Sequence, residues 1–139
     1  MPEGVGYSNK QVIAAPSKDI AYIGGKTWAG WSGNGVTTSG TDAILYDFKS
    51  PNRGLKAIAS FSFQENNLSA NKLIGLVINL NGNDMYKMII KKSSDAGFTN
   101  LDSDQIGFVI PPLTTVLITT TTDDTDNIAT YLNLVCEEV

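Results

Sequence analysis

The sequence predicts an all-β fold, an antiparallel β-sandwich of jelly-roll type preceded by an extended N-terminal arm. Three observations predict it. Strand-length runs alternate apolar and polar side chains, turn residues separate them, and no segment carries an apolar stripe at helical spacing. The chain is 139 residues long, one domain's worth, and can bury a sizeable core without covalent staples. Its single cysteine, Cys136, excludes an intrachain disulfide and any CxxC motif, so packing and sheet hydrogen bonds must supply the stability.

Residues 1–25 read as the arm and residues 26–139 as the sandwich. The arm mixes Gly, Pro and Ser with polar residues and holds no sustained period. It reads as a disordered or surface-draped terminus, or as an arm that orders by lying on a neighbouring subunit, for which Val12, Ile13, Ile20, Tyr22 and Ile23 give it something to bury. After Trp28, "GVTTSGTDAILYDFKSP" supplies a short strand, a turn at Ser39-Gly40 and a strand through Ile44, Tyr46 and Phe48.

Next, "LKAIASFSFQ" sets Leu55, Ala57, Ala59, Phe61 and Phe63 against Lys56, Ser60, Ser62 and Gln64, a half-buried strand whose pattern is broken only by Ile58. "KLIGLVINL" is almost continuously apolar and reads as a strand covered on both sides. Asn81-Gly82 then joins it to "DMYKMIIKK" as a hairpin, because both residues tolerate the positive φ of a tight primed turn.

Ser93 to Gly107 is rich in turn residues and acids and is expected to be a long loop. Pro111-Pro112 ends the strand before it, since proline has no amide hydrogen for a ladder, and a threonine-rich strand starts at Leu113. Threonine fills six of the nine positions from Thr114 to Thr122; β-branching favours extended backbone, and the hydroxyls keep the strand polar. "DDTDN" turns the chain into a last strand, Ile128 to Val135.

Histidine is absent, which removes Ser-His-Asp and Cys-His catalysis and most transition-metal sites. "GGKT" at Gly24 to Thr27 is no phosphate loop, because Ile20 stands where that motif needs its first glycine. Asp123 to Asn127 and Leu101 to Gln105 place carboxylates at alternate positions, as calcium loops do, but lack the glycine and closing glutamate of a helix-loop-helix site; they read as solvated strand connections, the alternative being a weak Ca²⁺ site that joins the two loops. No catalytic residue, cofactor or metal ligand is therefore assigned, and the chain is expected not to be an enzyme.

Charge sharpens the exclusion. Residues 93–139 carry eight acids and no Lys or Arg, a half-chain that repels phosphate backbones, so nucleic acid is not the expected partner. Apolar runs are far shorter than a bilayer span, and the first residues lack a signal peptide's apolar stretch, so a soluble protein without membrane partners is expected. Trp28 and Trp31, in "TWAGWSGNG", are candidates for interface packing or for stacking on a sugar ring.

From Trp28 to Val135, "TWAGWSGNGVTTSGTDAILYDFKSPNRGLKAIASFSFQ", "INLNGNDMYKMII" and "FVIPPLTTVLITTTTDDTDNIATYLNLV" resemble small jelly-roll virion proteins of tailed bacteriophages. The resemblance implies a structural role with no active site: a capsid decoration or cement protein, made in the host cytoplasm and carried on the capsid exterior. Its implied partners are the major capsid protein and further copies of itself, a homotrimer fitting the local three-fold axes of a shell. The alternative is a carbohydrate-binding module of a phage tail or adhesive surface, using Trp28 or Trp31 as its platform.

Overall fold

A computed structural model describes residues 18–93, 97–98 and 105–139. Its strands are β1 (Ala21–Gly24), β2 (Thr27–Trp31), β3 (Gly35–Thr37), β4 (Ala43–Lys49), β5 (Leu55–Phe63), β6 (Leu73–Leu80), β7 (Asn83–Ser93), β8 (Gly97–Phe98), β9 (Gln105–Ile110), β10 (Thr115–Thr122) and β11 (Ile128–Glu138). They form two antiparallel sheets, consistent with a β-sandwich. One has the order β1-β2-β11-β5-β9, with β3 also paired to β11; the other runs β4-β10-β6-β7-β8.

Alternation decides which side chains enter the space between the sheets. In β5, Leu55, Ala57, Ala59 and Phe61 are buried, while Lys56 and Ser62 face outward. Ile58 follows its position rather than its hydropathy and is 54% exposed. From the other sheet, Leu76 and Ile78 of β6 and Val116 and Ile118 of β10 meet this layer. At about 25 cal/mol per Å² of apolar surface removed from water, such a core is the fold's main source of stability.

Local chemistry sets the turns. Asn81 (φ 52°) and Gly82 (φ 88°) are both left-handed, as a two-residue primed turn requires, and the Asn79 side chain accepts the Gly82 amide at 2.9 Å. Pro111-Pro112 ends β9, as expected. The threonine strand starts at Thr115 rather than Leu113, which takes a positive φ of 53° and donates its amide to the Pro51 carbonyl. The segment expected to be a loop up to Gly107 is already strand from Gln105, because Gln105 to Ile110 pairs with β5 from Ser60 to Leu55.

The final strand is longer than expected. It continues through Glu138 because β5 still offers partners there, Ala57 opposite Cys136 and Leu55 opposite Glu138, and because Cys136 points into the core. On its other side β11 pairs first with β3 and then with β2, which makes it the spine of its sheet. Ala21–Gly24, at the end of the expected arm, is the edge strand of this sheet, hydrogen-bonded to β2. Just before it, Ile20 is buried, and Gly30 makes room for the close pass: a Cβ there would lie 2.7 Å from the Asp19 carbonyl oxygen. Val12 and Ile13 lie outside the described residues.

Candidate functional site

The outward positions of the β1-β2-β11-β5-β9 sheet form a broad face. Register places Ala21, Ala29, Val135, Ile58 and Gly107 in one row that crosses all five strands. Val135 and Ile58 stand next to each other and about half their surface is open to solvent; Val109, two residues on from Gly107, is similarly exposed. Polar rows border this apolar one. On one side Asn133 faces Ser60, and Ser60 faces Gln105; on the other Glu137 lies opposite Lys56.

Gly107 has no side chain to fill its place in the row. A depression of about 640 Å³ opens here, with Ile58, Val109 and Val135 on its apolar side and Lys56, Glu137 and Thr27 at its polar side. Exposed apolar side chains bordered by polar and charged ones are the anatomy of a protein docking surface. The sequence held one signal of it: Ile58 was the residue that broke an otherwise regular alternation. Val109 and Val135 gave none, because apolar residues on both faces of a strand also fit full burial.

The two tryptophans part ways. Trp31 sits on this outer face opposite Asn133 and is exposed. Trp28 points to the other side of β2 and is half-buried; its indole Nε1–H donates to Glu138 Oε2 at 2.9 Å, and Tyr22 meets it edge-on with ring centroids 5.3 Å apart. Tyr22 and Ile23, expected as arm contacts, are exposed on β1.

The acidic turn between β10 and β11 is an internal brace. Asp124 is buried, its Oδ2 accepting the Ser69 amide at 2.7 Å and its Oδ1 the Asp126 amide at 3.0 Å. Asp123 Oδ1 accepts the Leu73 amide. Burial alone would push the Asp124 carboxyl up, but the Asp126 and Ser69 hydrogen bonds and the nearby Lys72 outweigh it and hold the group below the ordinary carboxylate value. These oxygens are spent on backbone amides. Among the described residues no three carboxylate or thiol groups converge to hold a metal ion, and Asp102 and Asp104 lie outside those residues.

Buried groups are equally poor reactants. Burial pushes the Cys136 thiol up to about 12, which leaves almost no thiolate near neutral pH. Tyr46 is raised as well, first by burial and then by Cys136, and its hydroxyl donates to the Leu132 carbonyl at 2.8 Å. Among the described residues no helix is long and apolar enough to cross a membrane. No family model matches this chain, and neither does any curated protein or solved structure in the comparisons.

Proposed function

We propose that this chain is a non-enzymatic structural protein of a tailed-phage virion, which lays the outer face of its β1-β2-β11-β5-β9 sheet on the outside of the capsid and so decorates or stabilises the shell. The observation that carries the reading is the pair Val135 and Ile58, exposed side by side in one row of the sheet, with exposed Val109 in the next row. It offers a wide, sheet-stiffened surface rather than a convergent set of reactive groups. A protein that binds only the assembled shell stabilises it by mass action, and many symmetry-related copies make modest individual contacts sufficient.

Strand pairing supports the jelly-roll form of the sandwich. With β2, β4, β5, β6, β7, β9, β10 and β11 as its eight strands, the first pairs with the last, the second with the seventh, the third with the sixth and the fourth with the fifth. That is the pairing of one long hairpin wound around a barrel axis. The same reading makes the chain a homotrimer on the shell, seated at local three-fold axes.

Co-sedimentation with expanded heads of the phage that encodes the chain tests the reading. The native protein should pellet with the heads to saturation. Ile58→Glu places a charge in the apolar row at an exposed position, so it should fold normally and pellet at least about tenfold more weakly. Native protein that stays in the supernatant at every concentration would refute the proposal.

A further inference from the structure

We propose that the depression bounded by Tyr22, Trp28, Asn52, Arg53 and Glu138 is a binding site for a neutral hexopyranose. The inference does not rest on shell docking, because the site uses the opposite side of β2 and β11: Glu137 points to the docking face and Glu138 away from it.

Three features converge there. The first is an aromatic wall. Tyr22 and Trp28 are register partners on β1 and β2, their rings pack at 61°, and Tyr22 is 54% exposed. The C–H face of a pyranose is apolar and slightly positive, and it lies against the negative face of such a ring.

The second is a polar wall with both hydrogen-bonding senses. Glu138 is an acceptor already held in place by the Trp28 indole, and its Oε1 lies 3.8 Å from Arg53 Nε, too far for a tight pair. The Arg53 side chain is 67% exposed, so its guanidinium keeps donors to offer, and Asn52 brings an amide with a donor and an acceptor. Adjacent sugar hydroxyls, each donor and acceptor at once, match that mixture.

The third is size and charge. At about 480 Å³ the depression falls within the usual range for small-molecule sites. Arg53 and Glu138 bring opposite charges to one wall, so its net charge is zero and a neutral ring suits it better than a charged one of either sign.

The test uses the full chain and a panel of methyl glycosides of glucose, galactose, mannose and their acidic counterparts, with titrations read by tryptophan fluorescence and by amide chemical shifts. We expect at least one neutral glycoside to perturb Trp28 and the amides around Arg53. Binding should fall about tenfold in Tyr22→Ala and in Arg53→Ala, and persist in Trp31→Phe. Both weakened variants change exposed side chains, and a native circular dichroism spectrum shows that they fold. No response to any neutral glycoside, a preference for the acidic ones, or undiminished binding in both variants would overturn the proposal. Binding to phage heads by a variant that has lost the sugar keeps this outcome separate from the docking proposal.

Discussion

The hydroxyl oxygens of Thr120 and Thr130 lie 3.0 Å apart inside the sandwich, joining β10 of one sheet to β11 of the other. Thr130 also reaches the Gly35 carbonyl at 2.9 Å, and Thr37 donates to the Thr120 carbonyl at 3.2 Å. All three threonines are fully buried, so these are hydroxyls in a dry layer, each with a partner. The threonine run is thus divided: its outward members add polar groups to a strand face, and of its inward ones Thr120 ties the two sheets together while Thr122 bonds to Leu73 within its own sheet.

Thr130→Val therefore removes the donor to Gly35 and the partner of Thr120 together. The expected loss is about 1–3 kcal/mol, and Thr120→Val, which deletes one hydrogen bond, should cost about 1 kcal/mol. Urea unfolding should show a lower midpoint with an unchanged slope. The double variant should cost less than the sum of the singles, because both changes delete the same contact.

Asp124 makes stability depend on pH. Its folded carboxyl is held below the ordinary value of 3.8, so its contribution is whole above that value and is lost as the pH falls toward the lower, folded one. Asp124→Asn puts an amide donor against one of the two amides that the carboxylate accepts, at Ser69 or Asp126. At about pH 7 the variant should be about 1–3 kcal/mol less stable than the native chain. By about pH 3 the gap should have narrowed, and a gap that widens in acid would contradict this account.

Cys136 should be silent toward thiol reagents until the sandwich opens. It is fully buried and its thiol is raised to about 12. An excess of iodoacetamide at about pH 8 should leave the native chain unlabelled and alkylate it fully in denaturant. Rapid labelling of the native chain would show that the end of β11 frays.

Much of the fold was legible because its signals are local. Asn81-Gly82 carries its own turn chemistry, Pro111-Pro112 its own stop, and the period of two in β5 its own burial pattern. What could not be read depends on partners far away in sequence. β11 runs to Glu138 because β5 lies beside it, and Trp28 is fixed by a carboxylate 110 residues on. Asp124 looked like part of a solvated turn because only the segment from Ser69 to Leu73, packed over it, makes it an internal brace. Ile58 is the exception that carried information: a residue that fails its strand's pattern marked the centre of the exposed row.

Cryo-electron microscopy of the decorated head tests the central claim most directly. The docking reading predicts that Ile58, Val109 and Val135 face the major capsid protein, with the β4-β10-β6-β7-β8 sheet turned to solvent. A reconstruction in which those three side chains face solvent, or in which the chain is absent from the shell, would contradict it.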